Sequence, residues 1–117
     1  MVKGFRDLKV WQKAMELSRA VYKLQKGLPK EETYGLGDQI RRAVVSVPSN
    51  IAEGYGRESK DDFAHFLVMA RGSLYEVETQ LELAESMGYL SVQSDIRDGL
   101  AEVGRMLTGF ISKLHAH

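Results

Sequence analysis

The sequence predicts an all-α protein that folds as an up-down-up-down, antiparallel four-helix bundle. Apolar residues recur at spacings of three and four over long stretches, whereas a strand would alternate with a period of two. The 117 residues include only two prolines. The breaks between the apolar stretches are short, which makes consecutive helices antiparallel neighbours. This length suits one ordinary domain, so we expect a single domain over residues 1–117.

The first helix is predicted over residues 7–27, with Asp7 as its N-cap and with Gly27 and Pro29 ending it. Its core stripe steps by four and three through Val10, Ala14, Leu17, Val21 and Leu24. A second apolar line lies beside this stripe, so the apolar face of the helix is wider than packing against one other helix requires. We predict that this line forms an oligomer interface, and its members are Leu8, Trp11, Met15 and Tyr22.

The second helix is predicted over residues 36–55. Pro48 falls inside it, where proline removes one backbone donor and crowds the carbonyl of Val44. We expect a kink at Pro48. The alternative is two shorter helices broken at residues 46–48, but the apolar register continues unshifted across the proline, which favours the kink. The stripe consists of Leu36, Ile40, Val44, Val47 and Ile51.

The third and fourth helices are predicted over residues 60–87 and 94–114. Ser59 is the expected N-cap of the third helix, with Asp62 completing a capping-box pattern, and Gly88 is its expected stop. The inward stripe of the third helix is Phe63, Leu67, Ala70, Leu74, Val77, Leu81 and Ala84; that of the fourth is Ile96, Leu100, Val103, Leu107, Phe110 and Leu114.

The net charge is zero, but the charge is unevenly distributed. Residues 1–30 hold eight basic and two acidic residues, whereas residues 61–117 hold four basic and nine acidic ones. Basic side chains on one surface bind phosphates with an affinity that falls with salt. The alternatives are pairing with the acidic residues of later helices, or a solvated face. The nucleic-acid-binding candidates are Lys9, Lys13, Arg19, Lys23, Lys26, Lys30, Arg41, Arg42, Arg57 and Lys60.

A polar stripe runs beside the apolar one on the second helix, because its members follow each other at helical spacing. Buried polar groups need partners, and the third helix offers some. We predict a hydrogen-bond network that fixes the kink and the helix register; a ligand or nucleic-acid site is the alternative. Its predicted members are Gln39, Ser46, Asn50, Glu53, Ser73 and Glu76.

Catalysis has little support in the sequence. A di-metal site in a bundle needs two inward Glu-x-x-His pairs, and the nearest match is a single Asp62 to His65, with His115 and His117 at the chain end. Residues 35–37, Gly-Leu-Gly, lack the preceding strand and the lysine of a phosphate-binding loop. We therefore expect no enzymatic activity, no cofactor and no metal.

The cellular location is predicted from the lack of cysteine and of long apolar segments. The chain contains no cysteine, so nothing requires an oxidising compartment. Residues 1–7 are polar, and no stretch approaches the roughly 20 apolar residues that span a bilayer. We expect a cytoplasmic protein without a membrane contact.

Three segments carry a family resemblance. Residues 39–54 (QIRRAVVSVPSNIAEG), 5–11 (FRDLKVW) and 70–78 (ARGSLYEVE) resemble the motifs of the bacterial four-helix bundle proteins first noticed as products of intervening sequences in large-subunit ribosomal RNA genes. A related branch is the accessory variability protein of diversity-generating retroelements, a pentamer with a basic surface for nucleic acid. The resemblance implies a homopentamer, RNA or DNA as ligand, and a protein partner such as a reverse transcriptase.

The function expected from residues and resemblance together is a non-catalytic, oligomeric bundle that binds nucleic acid or acts as a scaffold. The alternative is a protein–protein interaction module or accessory subunit without nucleic-acid binding. Its physical basis is the apolar line on the first helix, which offers aromatic anchors to a partner helix.

Overall fold

The computed structural model describes residues 2–116, which form four long α-helices and no strand. The helices pack into a body of 47 × 25 × 21 Å. Among the described residues, none of the helices has the length and apolar content needed to cross a membrane. The bounds are α1 Lys9–Gln25, α2 Leu36–Tyr55, α3 Lys60–Ser86 and α4 Ser94–His115.

Neighbouring helices run antiparallel. On α2 and α3, Ser46 faces Ser73, whereas Gly54, further along α2, faces Phe63, which comes earlier on α3. The other three neighbouring pairs, α1 with α2, α3 with α4 and α1 with α4, follow the same rule: as residue numbers rise along one helix, those of the contacting residues on the other helix fall. Within residues 2–116, α1 and α3 lie on a diagonal and make no contact. This arrangement confirms the predicted up-down-up-down bundle.

The core is continuous along the bundle axis, because each helix turns one apolar stripe inward. All four helices contribute buried side chains to it. Residues with branched or long aliphatic side chains fill the centre. The largest fully buried residues include Ile40, Ile51, Leu67, Leu74, Leu81 and Leu107.

The start of α1 differs from the prediction. Asp7 is not its N-cap: Phe5–Asp7 form a short 3₁₀ turn, and Leu8 in extended conformation precedes the helix. The Asp7 carboxylate instead accepts a hydrogen bond of 2.9 Å from the backbone N–H of Lys3. Because turns flank both ends, α1 is shorter at each end than the range 7–27 predicted.

Helix α2 runs without interruption through Pro48, so the alternative of two shorter helices is wrong, while the kink stays a prediction. Pro48 has no N–H to donate to the Val44 carbonyl. The hydroxyl of Ser18 on α1 lies 3.2 Å from that carbonyl oxygen and 2.8 Å from the carbonyl of Ala14. The hydroxyl has one proton, which reaches one of these two carbonyls at a time, so Ser18 supplies part of the donor that Pro48 lacks.

Replacing Ser18 with alanine should lower the free energy of unfolding by about 1–3 kcal/mol, because the Val44 carbonyl would remain buried without a donor. Urea denaturation measures this change. Ser112→Ala is the matched control, since Ser112 is exposed on α4 and the same exchange there changes only helix propensity. Equal effects of the two substitutions would show that Ser18 does not compensate for Pro48.

Helix α3 has well-defined ends. The backbone N–H of Asp62 donates to Ser59 Oγ at 3.0 Å, which is the predicted N-cap. At the other end Gly88 has a φ of +74°, and the N–H of Tyr89 donates to the Ala84 carbonyl at 3.0 Å. This is the six-to-one hydrogen bond of a Schellman motif, whose left-handed position favours glycine. The local sequence thus determines both ends of the longest helix.

Candidate nucleic-acid interface

The basic residues of α1 and its C-terminal turn share the outward face of the helix. At 100° per residue they span an arc of about 140°, on the side opposite the buried stripe. We call this set the basic arc. Its members are Lys9, Lys13, Arg19, Lys23 and Lys26, of which only Lys13 is half-buried and the others are exposed.

The basic arc has little internal charge compensation. Lys13 lies 3.6 Å from the Glu16 carboxylate and 3.9 Å from that of Glu102 on α4. The other four members form no ion pair with any residue in the range 2–116. The acidic residues of α3 lie on the helix diagonally opposite, whose Cα atoms are all more than 8 Å from those of α1. Pairing within the bundle, one alternative in the sequence analysis, is thus limited to Lys13.

An open depression of about 440 Å³ lies on the N-terminal half of the basic arc. Its lining consists of three cations, one carboxylate and three uncharged side chains: Lys9, Lys13, Arg19, Glu16, Trp11, Gln12 and Met15. The Trp11 ring is half-buried and packs edge-on against Phe5, with 5.3 Å between the ring centroids. Cations combined with an aromatic side chain suit a nucleic acid, which presents phosphates and base faces together.

Two predicted binding residues on α2 have other partners. Arg41 donates from Nη1 to Gln25 Oε1 at 2.7 Å and from Nη2 to the Thr33 carbonyl at 3.0 Å. It therefore ties α2 to the end of α1 and to the connection that follows. Arg42 is exposed and pairs with Asp38 at 3.1 Å. Neither belongs to the basic arc.

The remaining candidates lie at the two ends of the bundle. Arg57 pairs with Glu53 at 3.0 Å and lies over the ring of Phe66 at 4.6 Å. Lys60 opens α3 at the same end. Lys30 is exposed in a 3₁₀ turn at the opposite end, between α1 and α2. The structure therefore does not bring all ten predicted residues into one patch.

The predicted polar network is smaller than expected. Asn50 Nδ2 donates to the Ser46 carbonyl at 2.8 Å and to Ser46 Oγ at 2.9 Å, and Ser73 Oγ bonds Ser46 Oγ at 3.1 Å. These three residues link α2 to α3. The other three, Gln39, Glu53 and Glu76, are exposed and do not join them, because only the middle of the stripe faces α3.

The apolar line predicted as an oligomer interface on α1 is only partly exposed in the bundle. Leu8 is buried in the chain's own core. Trp11 and Met15 are half-buried, and Tyr22, near the end of α1, is 39% exposed. A contact between chains at this line stays a prediction.

The outward face of α3 carries the apolar surface that sequence reasoning missed. Its members follow each other by four, three, four and four residues, so they share a face, and none is charged. Every one of them is exposed, with Tyr75 at 52% and Leu83 at 49%. The spacing of these residues was visible in the sequence, but the inward stripe alone accounted for the helix, so the second face was not assigned. We call this set the α3 stripe: Val68, Gly72, Tyr75, Thr79 and Leu83.

Two titratable groups with shifted pKa values lie at the end of the bundle that carries the α1–α2 and α3–α4 connections. A hydrogen bond from the Val92 N–H, together with the neighbouring Arg97, lowers the pKa of Glu85. Burial raises the pKa of Tyr89, and Glu32, whose carboxylate lies 3.4 Å from the hydroxyl, raises it further. Both groups hold the connections in place.

The described residues contain no cluster of three or more His, Cys, Asp or Glu side chains suited to a metal ion. His65 is exposed on α3 and His115 ends α4. His117 lies outside the described residues.

Comparison with known proteins gives one result. The family model described as 23S rRNA-intervening sequence protein matches residues 6–109. This range includes the basic arc, all of α2 and α3 and most of α4. A search of curated proteins finds no significant match.

Proposed function

The chain belongs to the 23S rRNA-intervening sequence protein family, and from that premise we propose that it is a non-catalytic protein that binds RNA or DNA through its basic arc. The observation that carries the proposal is a set of four exposed cations that form no ion pair with any of residues 2–116: Lys9, Arg19, Lys23 and Lys26.

Phosphate binding follows from the geometry of these four residues. Arg19, Lys23 and Lys26 follow each other at about one turn, and Lys9 lies almost three turns, about 15 Å, before Arg19 on the same helix face. A sugar–phosphate backbone that follows the helix is able to meet them in turn. Each contact releases condensed counterions, which supplies affinity without sequence specificity. The zero net charge of the whole chain limits this attraction to the α1 side, which orients the ligand.

Binding should weaken steeply with salt. For four phosphate contacts the logarithm of the association constant should fall with a slope of about −4 against the logarithm of salt concentration on duplex DNA, and about −3 on single strands. Fluorescence anisotropy with labelled RNA and DNA between low and moderate salt measures the slope. Absence of binding at low salt, or an affinity that salt leaves unchanged, would refute the proposal.

The α3 stripe supports a second proposal, self-association of the chain into a ring. An uncharged helix face with exposed aromatic and aliphatic side chains is typical of a surface that another protein covers. A ring needs a second, different surface on each chain to receive the α3 stripe. Since α1 lies diagonally opposite α3, a ring in which α2 or α4 supplies that surface leaves the basic arc accessible. A homopentamer would present five arcs and gain avidity from their number.

Light scattering after gel filtration tests self-association. The wild type should have a multiple of the 13.2 kDa chain mass, and Tyr75→Glu with Leu83→Glu should reduce it to the monomer, because charges would be buried in an apolar contact. Ser49→Glu with Ser112→Glu, on exposed positions of α2 and α4, is the control, because it changes the net charge by the same amount. A monomeric wild type leaves α3 as a docking face for a different protein, which is the interaction-module alternative.

A further inference from the structure

Tyr34 is the most exposed large hydrophobic residue among those described, at 91%. It lies in the connection between α1 and α2, at the end of the bundle where the basic arc finishes. An aromatic ring that packs against nothing contributes no core stability. Its ring faces are therefore free to stack on a ligand.

The backbone under Tyr34 is held firmly. The N–H groups of Thr33 and Gly35 donate to carbonyls of the preceding turn at 3.1 and 3.2 Å. Arg41 holds the Thr33 carbonyl at 3.0 Å, and Glu32 Oε1 accepts from the Leu36 N–H at 3.1 Å. Because this backbone is held, binding has to order only the side-chain torsions of Tyr34, which lowers the entropic cost of a contact with its ring.

A small basic cleft of about 230 Å³ lies beside the same segment. Lys26 and Arg41 line it, with Leu28 and Thr33 as neighbours. Arg41 uses two of its five N–H donors in hydrogen bonds to Gln25 and Thr33. Its guanidinium also lies 3.8 Å from the Asp38 carboxylate, and its remaining donors are available to an anion. Lys26 belongs to the basic arc, so the cleft continues the arc towards Tyr34.

We propose that Tyr34 stacks on an unpaired nucleobase while the adjoining phosphate contacts Lys26 and Arg41. The ligand class is then single-stranded nucleic acid, because a base inside a duplex offers no free face. This inference rests on the proposed function and deepens it: the arc supplies the charge, and Tyr34 selects unpaired strands.

Three variants and two ligands test the inference. Anisotropy titrations use a short oligothymidylate and the same strand with abasic sites in place of its bases. Tyr34→Ala should weaken binding of the oligothymidylate by about 5- to 150-fold, the loss of one base–aromatic stack, while leaving the abasic strand and the salt slope unchanged. Tyr34→Phe should bind like the wild type. Val45→Ala, a change at an exposed apolar residue on α2, should have no effect.

Each result separates the two proposals. If the wild type binds neither strand at low salt, the proposed function fails and the inference with it. If the wild type binds both strands but Tyr34→Ala matches it on the oligothymidylate, the stacking role alone is wrong. A change of solution mass in Tyr34→Ala would identify the ring as a protein contact and would also overturn the inference.

Discussion

Reversing Lys9, Lys23 and Lys26 to glutamate together should abolish measurable nucleic-acid binding. Each lost lysine should reduce the salt slope by about one, and the three new carboxylates repel the phosphates that the lysines attracted. All three side chains are exposed and form no ion pair within residues 2–116. The bundle should therefore keep its fold, which circular dichroism checks.

The control reverses three other exposed cations that lie outside the basic arc: Lys60, Arg105 and Lys113. Both variants change the net charge by the same amount, so they differ only in where the charge lies. We expect the control to bind close to the wild type. Equal losses in the two variants would mean that net charge governs binding and that α1 has no special role.

Replacing Gly54 with alanine should destabilise the bundle by about 1–3 kcal/mol, because added atoms in a packed contact force neighbours apart. A Cβ at Gly54 would lie 2.7 Å from Phe66 Cβ and 3.0 Å from Phe63 Cδ1. The first of these atoms is fixed to the α3 backbone, so the helices themselves would have to separate. This cost exceeds the gain of about 1 kcal/mol in helix propensity.

Gly72→Ala is the matched control for Gly54→Ala, because it makes the same exchange in α3, the helix that packs against α2. Gly72 is exposed in the middle of α3, and a Cβ there would meet nothing within 4 Å. That substitution should stabilise the protein by about 0.5–1 kcal/mol. Urea denaturation compares both variants with the wild type. A stabilising Gly54→Ala would show that α2 and α3 are not in close contact at this point.

The sequence predicts the fold well because helix signals are local. The spacing of apolar residues identifies all four helices, and Ser59 with Gly88 marks both ends of α3 through hydrogen bonds to nearby backbone groups. The start of α1 was predicted wrongly because aspartate is a common N-cap residue, whereas Asp7 here ends the 3₁₀ turn Phe5–Asp7 and does not cap α1.

The candidate site is less predictable because it depends on which surfaces meet. Asp38, three residues before Arg41, is a local partner that the sequence shows, but the hydrogen bond from Arg41 to Gln25 on a different helix is not visible in it. The same holds for Ser18, whose partner carbonyl is far away in sequence. Pairing across helices, and the exposure of Tyr34, appear only when the four helices are packed together.

Lysine footprinting tests the central claim, that nucleic acid binds the basic arc, most directly. The wild-type protein is acetylated briefly with and without a saturating single-stranded oligonucleotide at low salt, and mass spectrometry gives the reaction rate of each lysine. We predict strong protection of Lys9, Lys23 and Lys26, with Lys60 and Lys113 reacting at their free rates. Protection confined to Lys60 and Lys113, or equal at all sites, would contradict the account.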